Sequence, residues 1–155
     1  MATGLNFRMA GAVAPRINER GRAAREHLPE LERAMLAVEQ VECPITHHFS
    51  PGVYTRQCDM PAGAIVLGQT HREAHQCVLL KGRLRLLEED GTLRDVSAPA
   101  IFLGKPGRKF FKVLEDATLL NVYAATETDP QAIEDRVIEK TQTYLDWEAA
   151  RKALD

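Results

Sequence analysis

Aromatic residues, cysteines and long apolar runs are all scarce in this sequence. Aromatics make up 6% of its 155 residues, with a single Trp, and there are three cysteines, Cys43, Cys58 and Cys77. Three thiols with no Cys-x-x-Cys pair supply neither a disulfide framework nor a standard zinc knuckle; they read as reduced thiols in the cytoplasm. The apolar stretch of Met1–Ala14 is interrupted by Arg8 and followed by Pro15-Arg16, so neither a secretory leader nor a membrane span is expected. Charge of one sign is not in excess: 20 Lys and Arg stand against 22 Asp and Glu, a net charge of -2. Nothing in that balance calls for a nucleic acid or an anionic membrane as partner. Several catalytic templates are missing too: G-x-S-x-G, a phosphate-binding P-loop, and G-x-G-x-x-G after a strand.

What is present falls into three textures. The segment 1–42 is expected to be a helical arm. From Arg16 to about Glu42 it is rich in Arg, Glu, Ala and Leu, with Leu28, Leu31, Met35 and Val38 near helical spacing and Pro29 suited to a first turn. Arg16, Arg20, Arg22 and Arg25 make its start basic. Glu19, Glu26, Glu30 and Glu32 interleave with them, which favours a solvated or dimer-facing helix over a phosphate-binding one.

The segment 43–128 consists of short β-rich runs cut by Gly and Pro: Val53 to Met60, Ala64 to Gln69, Gln76 to Lys81, Arg83 to Glu88, Thr92 to Val96, Ile101 to Leu103, Lys109 to Leu114 and Thr118 to Ala125. Asp90-Gly91 is a strong hairpin signal, because this pair tolerates the backbone of a tight turn. Many short strands at regular spacing predict a sandwich or barrel. The segment 129–155 opens with Asp129-Pro130, an N-cap followed by proline at the first helical position. Ile133, Val137, Tyr144, Leu145 and Leu154 give it an interrupted apolar stripe, so one or two helices should pack on the barrel or on a second subunit.

The stretch Gly63 to Gly82, G-AIVLG-Q-T-H-REA-H-QCVLLK-G, resembles the first cupin motif (Gly, five residues, His-x-His, three or four residues, Glu, six residues, Gly). The spacing agrees at every step, but two ligand types differ. Gln69 stands where the first histidine belongs, His71 matches the second, and His75 stands at the glutamate. In the second cupin motif, P-x-G-x-x-H, Gly107 aligns with the glycine and Phe110 occupies the histidine position, so that ligand is missing. The longer run from His47 through Lys105-Pro106-Gly107 looks like small cupin-like proteins of bacteriophage genomes, a resemblance that carries a fold and not a reaction. It implies an all-β core with flanking helices: a cupin-like jelly-roll β-barrel with an N-terminal helical arm and C-terminal helices.

Local geometry points the same way. Residues two apart on a strand share a face, so Gln69 and His71 can both enter a barrel, and the turn at Arg72 to Ala74 returns His75 beside them. Imidazole nitrogens suit a divalent transition metal such as Zn, Fe, Ni or Mn, whereas an amide oxygen is a weak ligand. Of the adjacent pair His47 and His48 one at most faces inward, and His48 is the expected third ligand. The spacing His71-Arg72-Glu73-Ala74-His75 does not make a helical zinc-protease site, because Arg72 stands where that pattern needs glutamate.

Cys77 shares strand parity with His75. Tyr54, Arg56, Asn121 and Tyr123 are candidate ligand-binding groups alongside Gln69 and Cys77. Which of them face inward depends on strand register, and the alternative for each is an outer or rim position. The expectation is a degenerate histidine-based metal site that binds or transforms a small polar molecule, in a homodimer of the cytoplasm (of the host, if phage-encoded). A structural or host-interaction role with a vestigial cavity is the rival.

Overall fold

The computed structural model describes residues 21–154 together with the two-residue strand β1 (Gly4–Leu5). The expectations for Arg16, Glu19, Arg20 and the Met1–Ala14 stretch otherwise lie outside the described residues. Residues 21–26 are helical, and after a break at His27 helix α1 runs over Leu28–Leu36 with Pro29 in its first turn. The helix stops earlier than its charge pattern suggests. The Gln40 side-chain amide donates to the carbonyls of Met35 and Val38, satisfying groups that a continuing helix would have used.

The strands that follow are β2 (Ile45–Ser50), β3 (Val53–Met60), β4 (Ile65–His71), β5 (His75–Leu87), β6 (Leu93–Ser97), β7 (Ala100–Gly104) and β8 (Gly107–Ala124). Helix α2 (Pro130–Val137), the short strand β9 (Ile138–Glu139) and helix α3 (Gln142–Lys152) complete the chain. The all-β core with flanking helices is thus present. Asp129 caps α2 by accepting from the backbone N–H groups of Gln131 and Ala132, with Pro130 next to it, as the sequence indicates. Among the described residues no helix is long and apolar enough to cross a membrane.

Two long strands organise the sheet. One edge of β8 pairs with β4 over its first half and with β3 over its second, while its other edge follows β5. In turn β5 holds β7 along its first half and β6 along its second. All these pairings are antiparallel, and the sheet curls around an interior. Runs that the sequence separates at Gly82 and at Glu115-Asp116 are therefore single bent strands. Gly82 makes the bend in β5: its φ is +86°, and a Cβ there would lie 2.3 Å from the Asp116 carbonyl oxygen. The register shift around it switches the inward-facing parity, so that Cys77 and Leu79 point inside before the bend and Leu84 after it.

Three apolar clusters result. The barrel interior holds Met60, Leu79, Leu84, Phe111, Val113 and Leu119. Outside, α1 lays Leu28 and Met35 on Ile65, Leu67 and Phe110. At the far end α2 covers Tyr54 and Tyr123 with Ile133 and Val137. A buried ion pair pins α1 to the barrel: Arg108 meets Glu32 at 2.5 Å, and the Thr141 hydroxyl donates to the same carboxylate at 2.9 Å.

Candidate functional site

Alternation along β8 builds one wall of the site. Arg108 and Phe110 contact α1 and also border a cavity of about 420 Å³, which Lys109, Phe111, Leu119, Asn121 and Tyr123 line as well. Phe110, at the position where the second motif expects histidine, is buried against Leu28 and Met35. Register supplies the next row: Arg56 pairs with Asn121, Asn121 with Cys77, and Cys77 with Phe102, so four strands contribute side chains at one level of the cavity.

His71 ends β4 and His75 begins β5, and the three-residue connection brings their rings together. The centroids are 4.3 Å apart and the planes 19° from parallel. This convergence is the geometry that the Gly63–Gly82 spacing implies. Tyr123 joins them, with its ring 4.9 Å from His75 and its hydroxyl hydrogen-bonded to His71 Nδ1 at 3.3 Å. Cys77 Sγ sits 3.5 Å from His75 Nε2 and donates to the Asn121 amide oxygen at 3.4 Å. Behind His75, the backbone of Gly104 leaves room for the imidazole; a Cβ there would approach Nε2 to 2.5 Å.

Burial sets the charge state. It pushes His71 down to about 3, with the neighbouring His75, Lys109 and Arg56 adding to the effect. His75 is lowered too, chiefly by burial. Both rings are therefore neutral at ordinary pH. Burial also pushes the Cys77 thiol up to about 11 and raises the Tyr123 phenol, so neither is ionised.

The remaining candidates divide. Arg56, Asn121, Tyr123 and Cys77 face the cavity. Tyr54 does not line it: the ring is buried under α2, and its hydroxyl bonds His47 Nδ1 at 2.8 Å. Gln69 reaches the cavity wall, but its amide oxygen accepts from the Thr141 backbone N–H at 3.3 Å. The irregularity in β4 between Leu67 and Thr70 breaks the simple two-residue alternation that would have paired Gln69 with His71.

His48, the expected third ligand, is not among the cavity-lining residues. The ring lies exposed on β2, bonded to the Gln57 side chain at 3.0 Å, because β2 is itself a strand and alternation turns His47 rather than His48 toward Tyr54. Lys109, Arg94, Lys140 and Tyr144 line the cavity without having been singled out in the sequence. Odd-residue parity along β8 was a signal for Lys109; Lys140, in the connection before α3, and Tyr144, on α3, had none.

The two histidines alone make a thin donor set for a transition metal. A coordinating imidazole aims an in-plane lone pair at an ion about 2 Å away. His71 and His75 are the two imidazoles that the site offers, with their planes 19° from parallel. Gln69 is committed to Thr141, and His48 is outside. Among the described residues no three His, Cys, Asp or Glu side chains are grouped to hold a metal ion.

No protein-family model matches the chain, and neither does any curated protein. Solved structures similar to it include KdgF from a Halomonas species, at 18% identity over 57% of this chain and 87% of that one, with a TM-score of 0.45. A cupin superfamily protein from Desulfitobacterium hafniense is similar at 8% identity, 59% and 85% coverage, and a TM-score of 0.46. A Klebsiella pneumoniae protein with a double-stranded β-helix domain is similar at 13% identity, 56% and 75% coverage, and a TM-score of 0.46.

Proposed function

We propose that this chain binds a small polar molecule in the barrel cavity, through hydrogen bonds from His71, His75, Tyr123 and Asn121 and without a transition metal. The observation that carries this reading is the stacked, neutral imidazole pair beside a phenol in a cavity of about 420 Å³, a volume suited to a small metabolite. Neutral imidazoles each offer one donor and one acceptor, and ligands in such cavities are oriented by a few convergent polar groups.

Binding is favoured over proton-transfer catalysis by magnitude. A general base works best with a pKa near the operating pH, and His71 at about 3 is far below it. The test is native mass spectrometry of purified protein for a co-purifying small molecule, together with metal analysis. A released organic ligand that no longer binds Tyr123→Phe or His71→Asn supports the reading. Stoichiometric metal that disappears in His71→Ala would overturn it in favour of the metal-assisted alternative.

A second reading, a phage structural or host-contact protein with a vestigial cavity, is supported by one feature. Ile101 and Leu103 on β7 and Leu80 on β5 are 70%, 60% and 54% exposed. Edge strand β7 pairs only with β5 among the described strands, and its free side suits antiparallel pairing with a second copy, giving a homodimer.

A further inference from the structure

We propose that the molecule held in the cavity is a small organic carboxylate, gripped by Arg56 and Lys109 beside the His71–His75 pair. This deepens the cavity-binding reading and rests on it. Charge pairing among the lining residues is the starting point. Arg94 is satisfied by Glu88 at 2.6 Å, and Lys140 by Glu134 at 2.9 Å. Arg108 belongs to Glu32, and Arg25 donates to the carbonyls of Leu87, Glu88 and Arg108.

Two half-buried cations remain. Among the described residues, Arg56 has no ion pair and no side-chain hydrogen bond, and Lys109 donates only to the Lys105 carbonyl. Of the other lining acids, Glu89 and Asp90 are exposed at the β5–β6 hairpin, with Asp90 bonded to Thr92, and neither forms an ion pair with Arg56 or Lys109.

Both cations belong to the histidine site. Arg56 sits in the cross-strand row with Asn121 and Cys77, and Lys109 projects from the opposite half of β8. Each is close enough to His71 to disfavour its protonation, and Lys109 acts on His75 as well. Desolvation disfavours the Lys109 cation, and its pKa is lowered although Glu88 and Glu89 partly offset the effect. An incoming carboxylate would relieve that cost. The planar guanidinium of Arg56 can take a carboxylate through two parallel N–H···O bonds, while Lys109 supplies a second point charge. Neutral imidazoles and the Tyr123 hydroxyl would then contact the uncharged part of the molecule.

Calorimetric titration tests this at constant ionic strength, with acetate, succinate, citrate and inorganic phosphate as probes and succinamide as the neutral match of succinate. Saturable binding of succinate or citrate is expected, with succinamide at least about tenfold weaker. Arg56→Gln and Lys109→Gln should each weaken carboxylate binding by a similar factor while keeping the unfolding midpoint of the free protein. If a variant does not fold, the succinate–succinamide comparison on the unaltered protein decides alone.

Equal binding of the two, unchanged affinity in both folded variants, or binding of phosphate only would overturn the carboxylate assignment. Binding of neutral metabolites without any carboxylate would end it too, while leaving the cavity reading intact. A protein that binds neither class would fail both.

Discussion

The imidazole of His75 lies directly over the backbone of Gly104, its register partner on β7, so that a Cβ at this glycine would fall 2.5 Å from Nε2 and 2.6 Å from Cε1. The position of one ring in the stack is thus held open by the absence of one carbon atom.

Gly104→Ala should displace His75 and spread the pair. Overpacking of this kind costs about 1–3 kcal/mol. Urea unfolding measures that cost, and imidazole NMR resonances report the ring positions. Unmoved His71 and His75 resonances in the variant would show that the stack does not depend on this contact.

Stability should fall with acid through the histidine range. The unfolded His71 titrates near 6.5, and in the folded chain it is pushed down to about 3. Between these values the unfolded state binds the extra proton, so the contribution is complete above 6.5 and is lost as the pH falls. The slope is up to about 1.4 kcal/mol per pH unit for one such histidine. His75, lowered in the same direction, steepens it. Denaturation series from pH 7.5 down to about 5.5, about one unit above the ordinary carboxylate values, should show this slope, and His71→Phe should flatten it. An identical slope in that variant would refute the assignment.

Glu32 and Arg108 are both largely buried, and the carboxylate also serves Thr141. Glu32→Ala strands the guanidinium, and breaking such a pair costs about 3–5 kcal/mol. The double change Glu32→Leu with Arg108→Met removes both charges and should cost clearly less. A single variant as stable as the unaltered protein would mean that α1 is held by Leu28 and Met35 alone.

The exposed face of β7 predicts self-association. Ile101→Lys with Leu103→Lys places charge on the two most exposed apolar side chains of that strand. Sedimentation should change from dimer to monomer with the melting midpoint of the barrel preserved. A protein that is monomeric before the change removes the homodimer from consideration.

Strand patterning made most of the barrel legible. Val53–Met60 is bounded where its Pro and Gly neighbours indicate, and the Asp129-Pro130 cap begins a helix where expected. Boundaries failed where a bend interrupts a continuous strand. A glycine inside β5 reads as a turn until its partner Asp116 is known to lie against it.

The close approach of His71 and His75 was inherent in the sequence, since a strand, a three-residue turn and a strand leave few other places for the second ring. That no third His, Cys, Asp or Glu side chain groups with them to hold a metal ion among the described residues was not. Ring orientation follows from Tyr123 and Gly104, residues far away along the chain that meet the histidines only after β8 and β7 have paired with β5. That Arg56 and Lys109 form no ion pair among the described residues is likewise a tertiary fact. Charge balance can be counted from composition, but which carboxylate reaches which cation depends on the curl of the sheet.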